Sequence, residues 1–182
     1  MILASQSPRR RELLSLITQD FRVIPATGEE VLPDGISPEQ AVILLSKQKA
    51  EEIFARYKGE TIIAADTVVA IDGKILGKPV SEENAVEMLQ LLSGRVHSVY
   101  TGVCVINERG ELYSFADETT VEFNQLSEQL IADYVASGEP MDKAGAYGIQ
   151  GRGALLVKRI NGCYYNVMGL PVGRLYHEAG VR

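Results

Sequence analysis

The chain has 182 residues, of which 46% are hydrophobic and 23% charged, enough for one sizeable core or at most two lobes that share one. Its formal net charge of −6 argues against broad electrostatic binding to nucleic acid or to an anionic membrane surface. No apolar run approaches about 18 residues, and the two cysteines lack metal-ligand or redox spacing, so we expect a cytoplasmic protein.

The first predicted elements are a short apolar strand, a serine-rich turn and a helix, in the segment MILASQSPRRRELLSLI (1–17). Ser7 is the expected N-cap, and Pro8 occupies the first helical position. Helical periodicity places Leu13, Leu16 and Ile17 on the inward face.

Three arginines stand in the first turn of this helix, where the positive end of the helix dipole disfavours cations. Arg9 and Arg10 flank the predicted inward face, whereas Arg11 points away from it. The segment is either a solvated basic turn or a phosphate site built from backbone N–H groups and two guanidinium groups. We favour the phosphate site, because the cations oppose the helix dipole unless an anion is bound.

A capping box of Ser37 and Gln40, with Pro38 between them, predicts a second helix that runs to about Tyr57. Lys49 lies within the apolar face of this helix. That face comprises Ala41, Val42, Leu45 and Ile53. A lysine in this place either extends its ammonium to solvent or meets a negative partner, and the functional alternative is a phosphate ligand.

The segment TIIAADTVVAI (61–71) predicts a buried strand that ends in a hairpin at Asp72-Gly73. Asp66 interrupts its apolar run, and an ionised carboxylate there needs a cation or a metal close by. Asp66 is therefore a candidate general base or Mg²⁺ ligand, the alternative being an aspartate that caps a turn. Thr67 beside it either hydrogen-bonds a ligand or contributes only strand propensity.

The segment GKILGKP (73–79) fails as a P-loop, because its glycines are wrongly spaced and Pro79 replaces the magnesium-binding hydroxyl residue. Lys78 within it is still a candidate phosphate ligand. Downstream, cap and turn signals predict further elements. These are a helix at 81–94, a hairpin turning at 107–110, a helix from Ser127 to about Ser137, a tight turn at Asn161-Gly162, and a C-terminal helix from about Pro171.

Other polar residues have weaker patterns. Glu30, in the loop before the second helix, is either solvated or joins Asp66 in holding magnesium. Gln150 lies in a glycine-rich loop (144–153) that is either an ordinary connection or a place where the backbone approaches a ligand and Gln150 reads a base. His97 and His177 are isolated in the sequence and receive no role. Both cysteines, Cys104 and Cys163, fall in apolar strand-like runs.

Strands and helices alternate early in the chain and hairpins dominate later. This order predicts an α/β fold with a mixed sheet, in a single domain (1–182) that forms two lobes without a linker.

The chain resembles the Maf family of nucleoside triphosphate pyrophosphatases. The motifs that carry this resemblance occur in order over nearly the whole chain: LASQSPRRREL, LSKQKA, AADTVV, GKP, SGRVHSVYTGV, MDKAGAYGIQG and GLP. The resemblance implies an elongated mixed sheet flanked by helices, with a cleft between two lobes, related to the inosine triphosphate pyrophosphatases. It also implies hydrolysis of the α–β phosphate bond with a divalent cation, Mg²⁺ or Mn²⁺.

The resemblance assigns roles to individual residues. Asp66 would accept the proton of the attacking water and, with Glu30, hold the metal. The phosphate ligands would be Ser7, Arg10, Lys49 and Lys78. The residues that mark the subgroup preferring dTTP and UTP would be Arg9, Thr67 and Gln150.

The implied substrate is a nucleoside triphosphate, with neither nucleic acid nor membrane as partner, and a homodimer is the oligomer expected from the family. The alternative function is a nucleotide-binding regulator of cell division and septum formation that acts without turnover.

Overall fold

The structure is a computed structural model and describes residues 1–181. Within those residues seven strands form one sheet: β1 (Ile2–Leu3), β2 (Arg22–Val23), β3 (Ile62–Ile71), β4 (Lys74–Leu76), β5 (Val96–Ile106), β6 (Leu112–Phe123) and β7 (Val157–Asn161). The helices are α1 (Pro8–Leu14), α2 (Pro38–Arg56), α3 (Glu82–Leu92), α4 (Glu128–Ala136), α5 (Tyr164–Met168) and α6 (Val172–Glu178). Short 3₁₀ helices span Glu139–Asp142, Ala144–Ala146 and Gly151–Leu155.

The sheet has the strand order β2-β1-β3-β5-β6-β7, and β4 pairs with β3. The short strand β1 is parallel to both β2 and β3, whereas β4 is antiparallel to β3 and β7 is antiparallel to β6. The predicted α/β fold with a mixed sheet is therefore confirmed.

The chain divides into two compact units. The first contains Met1–Thr67, Thr101–Asp117 and Gly169–Arg182, and the second contains Val68–Tyr100 and Glu118–Met168. Each unit has its own buried apolar cluster. In the first unit α2 packs on the sheet through Ile2, Ala4, Ala50, Ile53, Ile62, Ala64, Cys104 and Ile106. In the second the cluster is built around Val69, Leu89, Leu92, Phe123, Ile131, Tyr134, Tyr147 and Leu156.

Local sequence signals explain where helices α1, α2, α3 and α4 begin. Ser7, Ser37, Ser81 and Ser127 each accept a hydrogen bond at the start of a helix from the backbone N–H three residues later. In α2 the Gln40 side chain also bonds back to the cap, which confirms the predicted capping box.

Leu16 is not on the inward face that helical periodicity predicted, because its side chain is 66% exposed. Helix α1 ends at Leu14, and the N–H groups of Leu16 and Ile17 bond to carbonyls three residues back. This tighter turn rotates Leu16 outward, and Leu14 is buried beside Leu13 instead.

Two further details differ from prediction. Cys163 does not lie in a strand, since it directly precedes α5, whereas Cys104 lies in β5 as expected. The strand β2 was not predicted, because both of its residues are exposed and it has no apolar pattern.

No helix within residues 1–181 has the length and apolar character needed to cross a membrane. The single domain and the cleft between two lobes stay predictions, and the last residue of the predicted range 1–182 lies outside the described residues.

Candidate active site

Two serines organise the turn between β1 and α1. The Ser7 N–H donates to Ser5 Oγ at 3.2 Å, and the Arg10 N–H donates to Ser7 Oγ at 3.4 Å. The first turn of α1 then holds Arg9 and Arg10 half-buried, while Arg11 is exposed. The predicted division of the three arginines is therefore confirmed.

The guanidinium group of Arg10 joins three parts of the first unit. Its Nε donates to the Gly169 carbonyl at 2.8 Å, just before α6. Its Nη1 donates to Ser5 Oγ at 3.3 Å, and its Nη2 donates to Thr67 Oγ1 at 2.9 Å. A guanidinium has five N–H donors, so two remain for a ligand. Arg10 thus fixes three parts of the protein and still has two N–H donors that could reach a ligand.

The hydroxyl of Thr67 also lies 2.9 Å from that of Thr101, which is fully buried in β5. Burial lowers the pKa of Arg10, an effect that the nearby carboxylate of Asp66 partly offsets. An arginine side chain remains protonated in any case. The group therefore combines a fixed positive charge with the half-buried hydroxyl of Thr67 and the buried hydroxyl of Thr101.

A second group is centred on Lys49, whose ammonium lies between two carboxylates. Its Nζ contacts Asp66 Oδ1 and lies 2.8 Å from Glu30 Oε1. The Lys49 and Asp66 side chains are only 19% and 12% exposed, whereas that of Glu30 is 54% exposed. Of the two alternatives for Lys49, the negative partner is confirmed, and Asp66 has the nearby cation that its strand position required.

Helix α2 reaches this position because β5 has no side chain at Gly102. A Cβ atom there would collide with the backbone carbonyl of Val42 and approach the Ile43 nitrogen to 2.8 Å. The close approach sets α2 directly on β5 within the first unit. Lys49 lies one turn from both Leu45 and Ile53 on the same buried face.

The loop that carries Glu30 is also fixed by α2. The Glu52 carboxylate accepts hydrogen bonds from the backbone N–H groups of Thr27 (3.0 Å) and Gly28 (2.9 Å), and these bonds lower its pKa. One turn earlier, Gln48 Nε2 donates to the Val31 carbonyl at 3.4 Å. The helix therefore carries Lys49 and also holds the segment on which Glu30 stands.

The pair of Glu30 and Asp66 suits a divalent cation that takes its remaining ligands from water and phosphate. Both carboxylates reach the same ammonium, so their oxygens face a common position. Mg²⁺ commonly uses one or two protein carboxylates together with substrate phosphates. Residues 1–181 contain no cluster of three or more His, Cys, Asp or Glu side chains that would hold a metal alone.

Residues 1–179 match the model of the Maf-like protein family. The chain belongs to this family.

This Maf-like protein is 52% identical to the dTTP/UTP pyrophosphatase of Carboxydothermus hydrogenoformans, over 97% of the chain and 95% of that relative. It is 54% identical to the dTTP/UTP pyrophosphatase of Thermococcus onnurineus, over 94% of the chain and 92% of that relative. The solved Ham1 protein of Staphylococcus aureus aligns with a TM-score of 0.46 at 20% identity, over 67% of this chain and 70% of that one.

Two predicted site residues of the Maf-like protein lie in the second unit. Lys78 is exposed in the loop after β4. Gln150 is half-buried and directly precedes the 3₁₀ helix at Gly151–Leu155. The other predicted site residues all belong to the first unit: Ser7, Arg9, Arg10, Glu30, Lys49, Asp66 and Thr67.

Several contacts of these residues were not predicted from the sequence. Ser5 and Thr101 bond to predicted site residues, and the only sequence signal was their place in the motifs LASQSPRRREL and VYTGV. His97, which is isolated in the sequence and received no role, has a ring that contacts Tyr147, 50 positions away, and Phe123. Spacing in the sequence carries no information about such a pair.

Proposed function

We propose that this Maf-like protein is a nucleoside triphosphate pyrophosphatase that cleaves the α–β phosphate bond of dTTP and UTP. The observation that carries the proposal is the Lys49 ammonium between the carboxylates of Glu30 and Asp66. The named activity of relatives at 52% and 54% identity supports the substrate class. The products would be the nucleoside monophosphate and pyrophosphate.

In the proposed reaction a water oxygen forms a bond to the α-phosphorus, and the bond from that phosphorus to the bridging oxygen breaks. Pyrophosphate leaves with the bridging oxygen, and Asp66 accepts the proton of the water. The buried strand position of Asp66 supports this role, because a base held rigidly in place loses little freedom when it acts.

We also propose that Glu30 and Asp66 hold Mg²⁺ or Mn²⁺. When bound, such a cation would neutralise charge on the phosphate oxygens and make the water more acidic. The Lys49 ammonium would then leave the carboxylates and bind a phosphate oxygen. This exchange of partners keeps every charge in the site paired.

The remaining roles follow the same proposal. Ser7, Arg10 and Lys78 would bind phosphate oxygens beside Lys49, and the two free N–H donors of Arg10 support its role. Arg9, Thr67 and Gln150 would select the base. The homodimer stays a prediction from the family, and the cytoplasmic location rests on the two free thiols of Cys104 and Cys163.

Replacing Asp66 with Asn tests the proton acceptor directly. We expect kcat to fall by about 10²–10⁴-fold, because an amide cannot take the proton of the water. The assay measures pyrophosphate release from dTTP with Mg²⁺ or Mn²⁺. Asp72→Asn is a matched control, because it makes the same change at an exposed aspartate of the second unit. Asp72 lies in the turn between β3 and β4 and forms an ion pair with Arg95.

A panel of nucleoside triphosphates tests the activity itself. Pyrophosphate and the nucleoside monophosphate should be the products, with dTTP and UTP turned over fastest. Release of single phosphates would contradict cleavage at the α–β bond, and an active Asp66→Asn variant would rule out its role as proton acceptor.

A further inference from the structure

A buried cluster of three rings holds His97 in the second unit. The His97 residue is 3% exposed, and its Nε2 lies 2.7 Å from the Tyr147 hydroxyl. The rings of His97, Phe123 and Tyr147 meet edge to face, with centroids 4.9, 5.3 and 4.7 Å apart. This geometry is typical of stable aromatic packing.

The polar contact in this cluster has a cost. Within residues 1–181 the Nδ1 atom of His97 is buried and has no hydrogen-bond partner. A buried polar atom without a partner is unfavourable, and a phenylalanine would fill a similar volume without that penalty. The hydrogen bond from His97 to Tyr147 is therefore a specific constraint that simple filling of the core does not require.

Tyr147 begins a loop that is held at two further points. The Gly148 N–H donates to the Tyr134 hydroxyl at 3.1 Å. The Arg152 N–H donates to the Glu139 carboxylate at 3.1 Å. Three anchors from three different elements thus bracket residues 149–151.

The backbone before the loop is itself strained. Ala146, directly before Tyr147, has a φ of +58°, which a residue with a side chain seldom adopts. Its side chain is fully buried in the apolar cluster of the second unit. Such a conformation persists only where surrounding contacts determine it, and it occurs often at ligand sites.

Gln150 stands in the middle of the bracketed segment. It is half-buried, and its side-chain amide makes no hydrogen bond to any of residues 1–181. An amide can both donate to and accept from the edge of a base. The segment is therefore fixed through its backbone, and the Gln150 amide keeps its full hydrogen-bonding capacity.

We infer that His97 and Tyr147 are positioning residues that, with Tyr134 and Glu139, fix this loop so that Gln150 can select the base. The inference rests on the proposed function, in which Gln150 contacts the base of the nucleotide. His97 and Tyr147 act through the loop and do not touch the reacting atoms.

The variant Tyr147→Phe removes the hydroxyl and keeps the ring packing. We expect the ratio of kcat/KM for dTTP to that for dATP to fall by up to about tenfold, the equivalent of one lost hydrogen bond. KM for dTTP should rise more than kcat falls. The control Tyr113→Phe removes a hydroxyl that bonds to Glu178 in the first unit, and its ratio should not change.

A double-mutant cycle separates positioning from a general loss of stability. In a Gln150→Ala background, Tyr147→Phe should cause no further loss of the dTTP preference, because the group that it positions is gone. If Tyr147→Phe lowered the dTTP preference by the same factor in the presence and in the absence of Gln150, the inference would be overturned. An unchanged preference in Tyr147→Phe alone would overturn it as well.

A second variant reaches the loop from its other side. Glu139→Ala removes the acceptor of the Arg152 N–H from a half-buried position, and it should lower the dTTP preference in the same Gln150-dependent way. It gives a result even where Tyr147→Phe fails to fold. Retention of the full preference in this variant would contradict the inference.

Amide hydrogen exchange at Gly148 and Arg152 is independent of catalysis. Tyr147→Phe should speed exchange at both amides by about tenfold, and Tyr113→Phe should not. If the unaltered protein turns over no nucleotide, the proposed function fails, while the exchange rates still decide whether the hydroxyl fixes the loop. If turnover is normal and neither exchange nor preference changes, only the positioning inference fails.

Discussion

Arg10, a proposed phosphate ligand, has a structural role of its own. Its three hydrogen bonds reach Ser5, Thr67 and the Gly169 carbonyl, and they use the planar fork that only arginine offers. Sequence patterns alone indicated a cation at the helix start but not these partners. A charge that opposes the helix dipole is tolerated because the guanidinium is fixed by neutral oxygen acceptors.

Arg10→Lys keeps the charge but cannot reproduce three hydrogen bonds. We expect the free energy of unfolding to fall by about 1–3 kcal/mol, because buried hydroxyl and carbonyl acceptors lose their donor. Urea denaturation measures the change. Arg11→Lys, at the exposed neighbouring position, should shift stability by less than about 0.5 kcal/mol, and equal effects of the two changes would contradict the interpretation.

His97 makes stability depend on pH. Burial against Phe123 and Tyr147, neither of which is charged, lowers its pKa from 6.5 to about 4. Between these two values the unfolded chain takes up a proton that the folded protein does not. Stability should therefore fall as the pH drops from about 6.5 to about 4, by up to about 3 kcal/mol from this residue.

Chemical denaturation at several pH values measures this dependence. His97→Gln, which keeps a polar group but does not titrate, should flatten the curve between pH 6.5 and 4. His177→Gln, at an exposed position in α6, should leave the curve as it is. An unchanged slope in His97→Gln would show that the acid sensitivity has another origin.

At the scale of elements, helix α2 combines three roles in the first unit. It packs on the sheet through one face, carries Lys49 on the same face, and holds the Glu30 loop through Gln48 and Glu52. Its position depends on Gly102 in β5, where a side chain would meet the helix backbone. The Lys49 site therefore depends on a residue that has no functional group.

Gly102→Ala should force α2 away from β5. We expect a loss of about 1–3 kcal/mol in the free energy of unfolding, since the obstruction is backbone that cannot rotate aside. Turnover should also fall, because Lys49 moves with the helix. Thermal unfolding and the pyrophosphate assay measure the two effects.

Gly173→Ala is the matched control for this change. Gly173 lies within α6, and a Cβ there would have no atom within 4 Å. The substitution should stabilise the protein by about 0.5–1 kcal/mol through helix propensity. If both glycine replacements changed the free energy of unfolding in the same direction, close packing at Gly102 would not be the cause of the change.

The elements that the sequence predicted best are those with local signals. The capping box at Ser37 and Gln40 fixes the start of α2, and the β-branched run at 61–71 fixes β3. The strand β2 has no such signal, because it consists of two exposed residues that pair with β1 only through the backbone. Caps and runs are local, whereas strand pairing depends on the whole fold.

Part of the candidate site could likewise be predicted from local sequence patterns, and part could not. Lys49 and Asp66 each stood out as a charge in an apolar setting, so a partner of opposite charge could be predicted for each. That they are partners of each other, 17 positions apart, required the fold to bring α2 onto β3. The hydroxyl of Thr101 had no such contrast, because threonine is common in strands.

The whole molecule carries 24 acidic and 18 basic side chains, so its long-range field repels a triphosphate. Under the proposed function, binding would then depend on short-range contacts with a few cations, for which Arg9, Arg10 and Lys49 are the proposed candidates. Strands β3, β5 and β6 each contribute residues to both compact units.

A dTTP analogue with a methylene bridge between the α- and β-phosphates should stabilise the folded protein. At a hundred times its Kd the gain is about 2.7 kcal/mol, which corresponds to a rise in Tm of about 5–10 °C. Differential scanning fluorimetry with Mg²⁺ measures it. The Arg9→Ala, Arg10→Ala double variant should lose most of the rise, and Arg11→Ala should keep it.

An equal rise in the double variant would mean that the arginines at the start of α1 do not bind the phosphates. A rise that vanishes in all three proteins at moderate salt would instead indicate diffuse attraction, since local, partly buried contacts are screened much less.

The hydrogen bond from Arg10 to the Gly169 carbonyl spans 159 positions of the chain. During synthesis on the ribosome Arg10 is made first, and its partner Gly169 follows only 159 positions later. The hydrogen bonds around Arg10 are thus completed only after residue 169 has been made, by one of the longest-range contacts in the fold, which is the slow kind of contact to form. A nascent chain that lacks this contact would already contain the three arginines of α1, but the guanidinium group of Arg10 would not yet be held in its final position.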